Sequence, residues 1–270
     1  MFEKMIGFIG AGNMGSAMIG GILSSSLAPA DRIIASAHSP ATLEKVKSAF
    51  SIQVTLSNGE VADCSDILFL AVKPGKFCDV IPQITDRIKD DCIVVSIAAG
   101  KTIREIESAF GRKVKLVRAM PNTPALVGES MSALCSNDAV TDEELALVQE
   151  IFDSFGRSEV VPESLMDAVV GVSGSSPAYV YLLIEAMADA AVADGMPRPQ
   201  AYKFAAQSVY GAAKMVLETG VHPGVLKDAV CSPGGTTIEA VAALEKGGFR
   251  SSVITAQRTC SQKSRDMSRS

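Results

Sequence analysis

The hexapeptide Gly10-Ala11-Gly12-Asn13-Met14-Gly15 constrains this chain more than any other stretch. It follows an apolar run at Met5–Ile9 and opens a helical one at Met14–Leu23. GxGxxG by itself is a weak pattern; between a strand and a helix it predicts a turn that receives the pyrophosphate of a dinucleotide. Gly10 permits the tight turn, Gly12 leaves bare backbone for the phosphates, and Gly15 lets the helix lie close to the strand. The helix start adds unpaired amides and a partial positive charge.

The rest of the first half fits such a turn. Further strands are expected at Arg32–Ala37, Asp66–Val72, Cys92–Ile97 and Lys115–Met120, with weaker ones at Met131–Ser136 and Ser158–Val161. The continuously apolar runs Ile67–Val72 and Ile93–Ile97 suit parallel strands covered on both faces. Helical segments such as Ala41–Phe50 and Thr102–Phe110 separate them, so the expected fold is α/β, a Rossmann-like doubly wound sheet over residues 1–162. After Pro162 no strand is visible, and residues 163–270 read as an all-helical domain. Its helices are expected at Ser176–Asp194, Arg198–Thr219, Pro223–Val230, Thr236–Lys246 and from Phe249 onward, with a polar tail fraying from Ser261. A helix that is apolar all round must be buried, and a domain of this size has little room to bury two. A dimer packed through these helices is therefore expected, with a self-contained bundle as the alternative.

Bulk properties narrow the function. A net charge of −5 without a basic cluster argues against nucleic-acid binding. No signal-peptide pattern opens the chain, and no apolar stretch reads as a membrane span. Six scattered cysteines without a CxxC pair read as reduced thiols in a cytoplasmic protein. The two histidines, His38 and His222, lie far apart, so no protein metal site is expected.

Ligands in an open parallel sheet bind beyond the carboxyl ends of the strands. The second strand ends Ser36-Ala37-His38-Ser39, with no acid for a ribose 2′-hydroxyl, which tilts the cofactor toward NADP(H) over NAD(H). Ser36, Ser39 and His38 are candidates for the 2′-phosphate; alternatively the serines merely begin a helix, with Ser39 as N-cap and Pro40 following. The next ends are Lys73-Pro74, Ala98-Ala99-Gly100 and Pro121-Asn122-Thr123-Pro124. Small residues at Ala98–Gly100 let backbone approach a flat ring. The Asn122 amide is a candidate for the nicotinamide side, and Lys73 is either a catalytic acid or a surface lysine. In the second half, Cys231-Ser232-Pro233-Gly234-Gly235-Thr236-Thr237 precedes a helix. Ser232 reads as its N-cap, but two glycines cost helix stability, which points to close approach of an anion to free amides. This segment is the expected cradle for a substrate carboxylate.

These residues resemble pyrroline-5-carboxylate reductase. The resemblance rests on Gly10–Gly15, Ala71-Val72-Lys73-Pro74, Met120–Pro124, Gly174–Tyr179, His222-Pro223-Gly224 with Leu226-Lys227-Asp228, and, most specifically, Ser232–Thr237. It implies reduction of 1-pyrroline-5-carboxylate to L-proline by NAD(P)H, the last step of proline synthesis. It also implies a helical dimerisation domain, and homodimers assembled into larger rings such as decamers. Carried over by position, Ile9, Gly10, Ala11, Gly12, Asn13 and Met14 would hold the pyrophosphate. Ser36 would meet the 2′-phosphate side and Asn58 the adenosine side. Ala71, Val72, Lys73, Pro74, Ala98, Ala99 and Gly100 would line the dinucleotide. Ser232 with the amides of Gly234, Gly235, Thr236 and Thr237 would bind the carboxylate, the Thr237 hydroxyl would contact the ring nitrogen as the catalytic group, and Glu163 would lie near the substrate. The chain departs from the pattern at Ala229, where some members have Asn, and at Ser176, where Gly is commoner.

Two other readings share the glycine turn. A hydroxyacid dehydrogenase of the same two-domain plan would need a catalytic lysine such as Lys203 or Lys214, neither of which has a supporting motif. A non-catalytic dinucleotide sensor would have no use for the Ser232–Thr237 cradle.

Overall fold

The computed structural model describes residues 3–268, which divide into two compact units, one of residues 3–175 with 259–268 and one of residues 176–258. The first unit is built on an eight-stranded sheet of order β3-β2-β1-β4-β5-β6-β7-β8. Its strands are β1 (Ile6–Ile9), β2 (Ile33–Ser36), β3 (Gln53–Thr55), β4 (Ile67–Leu70), β5 (Ile93–Ser96), β6 (Lys115–Met120), β7 (Ser130–Ser136) and β8 (Gly156–Val160). The helices that cross between them are α1 (Asn13–Ser24), α2 (Pro40–Phe50), α3 (Asn58–Cys64), α4 (Phe77–Ile84), α5 (Ile103–Phe110) and α6 (Asp142–Asp153), followed by the single turn α7 (Met166–Val169).

The first six strands are parallel, in register Ile6↔Ile33 and Ile6↔Ile67 around the central β1. β7 runs antiparallel to β6, pairing Val117 with Ser136. A parallel return needs a crossover of roughly a dozen residues or more, and the short Pro121–Glu129 link, mostly one 3-10 turn, cannot make it. β8 follows a full crossover through α6 and is parallel to β7. The edge strand β3 was not expected from the sequence; its three residues are half-exposed and carry no apolar pattern.

Strand alternation sorts the core onto two faces. Phe8 and Phe69 stack at 4.8 Å on the face covered by α1 and α6, where Phe152 and Phe155 join them. Leu68, Leu70, Val94 and Leu116 point to the other face, against Phe77, Ile81, Ile106 and Phe110 of α4 and α5. Capping residues set the helix starts: Ser39 accepts the Thr42 amide with Pro40 behind it, and Thr102/Glu105 and Thr141/Glu144 form reciprocal capping boxes.

The second unit is helical: α8 (Ser176–Ala193), α9 (Arg198–Thr219), α10 (Pro223–Val230), α11 (Thr236–Lys246) and the beginning of α12 (Phe249–Met267). Its buried hydrophobic residues are alanines, Ala188, Ala201 and Ala205, while Leu182 and Phe204 are each 68% exposed. Two sequence expectations are corrected here. The tail does not fray at Ser261: α12 continues to Met267, with Ser261 and Ser264 buried and Ser264 Oγ donating to Asp167 Oδ1 at 2.6 Å. And a run long and apolar enough to cross a membrane does exist by length and composition, Glu163–Ala193. Its interruption by the polar Ser173, Gly174, Ser175 and Ser176 hid it from a reading of contiguous apolar residues.

Candidate functional site

The glycine turn has the geometry that its sequence demands. Gly10 sits at φ +102, and a Cβ there would lie 2.6 Å from the Ala71 carbonyl oxygen. A Cβ on Gly15 would lie 2.3 Å from the Gly10 carbonyl oxygen, so α1 can approach β1 only with glycine there. Gly12 differs: its missing Cβ faces open space with nothing within 4 Å. Gly12 is the N-cap of α1, and no side chain occupies the first-turn amides. Bare backbone, uncapped amides and room above them form a cradle for a diphosphate.

Beyond the turn, Gly10, Ala37, His38, Asn58, Val72 and Lys76 line a cavity of about 640 Å³ at the strand ends. Asn58 lies on its wall. Ser36 does not: it is only 1% exposed, and its hydroxyl donates to Asn58 Oδ1 at 2.7 Å. The Asn58 Nδ2 donates to Gln83 Oε1 at 3.0 Å, and Gln83 Nε2 donates to the Asp79 carbonyl at 2.6 Å. Lys76, Asp79 and Gln83 were not singled out in the sequence. One helical turn beyond the strand end at Lys73 lies Lys76.

Lys73 is exposed, three residues beyond the end of β4, and its carbonyl accepts the Lys76 amide in the turn that follows. Ala98–Gly100 form the exit of β5; Gly100 has φ +72, and a Cβ on it would sit 3.3 Å from Met267 of α12. Thr102 then caps α5. Burial pushes the Glu105 carboxyl up, but bonds from the Thr102 amide, Lys101 and the Thr102 hydroxyl outweigh it and hold the group below its ordinary range.

Asn122 takes a different task from the one expected of it. Its amide is buried, with Nδ2 donating to the Ser173 carbonyl at 3.0 Å and Oδ1 accepting from Ser130 Oγ and the Met131 amide. It ties the β6–β7 link to the helical turns after α7 instead of presenting a free amide to a nicotinamide. Glu163 accepts from the Ile103 amide at 2.7 Å and from Arg118 Nη1 at 2.9 Å. It lines a separate cavity of about 780 Å³ beside Ile103, Cys135 and Asn137. Arg118 is nearly buried, so this carboxylate balances a charge that would otherwise be stranded. Burial pushes the Cys92 thiol up to about 12 and the Cys135 thiol up to about 11, which removes both as nucleophiles near neutral pH.

In the second unit the Ser232–Thr237 turn is exposed except at Gly235 and Thr237, which are half-buried. Ser232 is not the N-cap of α11; that position belongs to Gly235, with no side-chain cap. The glycines have local reasons as well. Gly234 adopts φ +68, and a Cβ on Gly235 would meet Ser232 Oγ at 2.3 Å. The result is a second helix that begins on bare glycine with free amides, with the Ser232 hydroxyl folded over it.

Residues 163–267 match the family model of pyrroline-5-carboxylate reductase dimerisation, and residues 5–100 match that of NADP oxidoreductase coenzyme F420-dependent. The chain is 54% identical over 268 residues to the pyrroline-5-carboxylate reductase of Escherichia coli K12, covering 99% of this chain and 100% of that one. Among solved structures it resembles the pyrroline carboxylate reductase of Plasmodium falciparum with NADP bound (TM-score 0.90, 34% identity, 99% of each chain). It likewise resembles the pyrroline-5-carboxylate reductase of Coxiella burnetii (TM-score 0.92, 33% identity, 99% of each chain).

Proposed function

The chain belongs to the pyrroline-5-carboxylate reductase family, and from that membership we propose a division of labour among its residues. It is an NAD(P)H-dependent oxidoreductase that reduces 1-pyrroline-5-carboxylate to L-proline, with NADP as cofactor. The observation that carries the residue assignments is that two helices, α1 and α11, begin on glycine N-caps whose first-turn amides no side chain occupies.

NADPH supplies the hydride when bound. The turn from Ile9 to Met14 holds its pyrophosphate, while Asn58 meets the adenosine end. Ala71–Pro74 and Ala98–Gly100 border the rest of the dinucleotide. The substrate carboxylate sits on the amides of Gly234–Thr237 with the Ser232 hydroxyl, the kind of charge-assisted contact that both anchors and orients. A cyclic imine is electrophilic once protonated, so the protein's task is to place the imine carbon in near-attack geometry. The Thr237 hydroxyl, in the first turn of α11, bonds the ring nitrogen and fixes its direction. Glu163 acts from outside, steadying the start of α5 through the Ile103 amide and so the Ala98–Gly100 exit before it. The helical substrate-binding and dimerisation region is taken as residues 163–270.

The exposed apolar faces of α8 and α9 support a homodimer, assembled further into rings such as decamers, and a cytoplasmic location fits the free cysteines. NADPH oxidation should require 1-pyrroline-5-carboxylate and yield proline. Oxidation of NADPH with a hydroxyacid's oxo partner instead, and none with the imine, overturns the reading. Native mass measurement tests the assembly.

A further inference from the structure

We propose that Lys76 reads the 2′-phosphate of NADP(H), and that Asp79 is a built-in competitor that tempers the preference over NAD(H). The proposal rests on the reading that the cavity beyond the glycine turn takes the adenosine end of the dinucleotide.

A site that prefers a phosphorylated ribose must offer the dianion more than neutral hydrogen bonds. The groups expected to do so are short of capacity. Ser36 is buried and its hydrogen goes to Asn58, whose Nδ2 in turn goes to Gln83. Both are neutral. The titratable residues on the cavity wall are His38, Lys76 and Asp79. His38 stands at the end of β2 and Lys76 at the start of α4, so the wall between them spans the place where the second strand's end meets a ribose 2′-position. The Lys76 ammonium is held by Asp79 at 3.1 Å, with both side chains about two-thirds exposed. An exposed pair of this kind is worth little, so Lys76 can exchange a carboxylate for a phosphate without disturbing the backbone. Asp79 is anchored in the first turn of α4, so the released carboxylate stays near the phosphate and opposes it.

The test is titration of the intact protein with 2′-phospho-ADP-ribose and with ADP-ribose, which isolates binding from turnover. Lys76→Gln should weaken the phosphorylated ligand about ten-fold, the usual scale of one charge-assisted contact, while ADP-ribose stays within about two-fold, which also shows that the variant is folded. Asp79→Asn should tighten the phosphorylated ligand alone by about three-fold, and both effects should shrink at high salt. Equal losses for both ligands in Lys76→Gln, no loss for either, or a ten-fold selective loss in His38→Asn with none in Lys76→Gln would overturn the assignment. Failure of ADP-ribose to bind the unaltered protein would overturn the cavity reading, and this inference with it.

Discussion

The two units of this chain are built from similarly apolar sequence and finish it in opposite ways. The first buries phenylalanines, isoleucines and leucines on both faces of its sheet, with Phe8, Phe69, Phe152 and Phe155 fully enclosed. The second buries alanines and leaves Leu182, Phe204, Leu217 and Val230 in the open. Small residues let α8 and α9 come together and turn their large side chains away from the contact. A solvent-facing array of that size marks an interaction surface. The family model of pyrroline-5-carboxylate reductase dimerisation covers this region, which fits a surface used in oligomerisation.

Breaking the contrast should begin at that surface. Phe204→Glu combined with Leu217→Glu should dissociate the assembly and abolish imine-dependent NADPH oxidation, followed by sedimentation alongside the assay; a fully active dimeric variant would end the argument. Phe152→Ala in the first unit should cost about 3–5 kcal/mol, the range for emptying a buried aromatic site. Its denaturation midpoint should shift equally at all protein concentrations, whereas loss of the second unit's structure should depend on concentration.

Smaller effects separate the two glycine-capped helix starts. Gly12→Val should weaken NADPH binding by about 100-fold with only the small loss of melting temperature that a poorer N-cap brings, because its side chain meets no protein atom but fills the phosphate cradle. Gly15→Val, aimed at the Gly10 carbonyl, should lower both. Thr237→Ala in the other cradle should reduce kcat about ten-fold or more while NADPH still binds. Unchanged kinetics would remove Thr237 from the site. The smallest effect is an acid sensitivity confined to the first unit. Burial pushes the Asp66 carboxyl up, but bonds from Lys89 and the Met5 amide outweigh it and leave the group below its ordinary value of 3.8. Its contribution is therefore present above that pH and lost as pH falls through the folded value. Asp66→Asn should remove about 1 kcal/mol or less of urea stability at pH 7, a difference that shrinks as pH falls below 3.8.

Much of this was written locally. The strand Lys115–Met120 and the helices Arg198–Thr219, Pro223–Val230 and Thr236–Lys246 have the bounds read from their patterns, because prolines and glycines punctuate them. The glycine turn declared its purpose for the same reason: each of its constraints lies within a few residues. The reversal of β7 was also legible, in the length of one link, though it was not drawn from it. What pattern could not supply was the partner of each polar group. Ser36 and Asn58 are 22 residues apart, and Asn122 and Ser173 are 51 apart. Both Ser36 and Asn122 sit at strand ends where ligands bind, and both turn inward. Periodicity and caps follow from the chain's own geometry; which hydroxyl or amide remains free for a ligand depends on what distant elements bring beside it. The sequence by itself determined most of the strands, several helix starts and the glycine turns. Only the tertiary packing decided that Asn58 and Lys76, and not Ser36, line the cavity beyond the glycine turn.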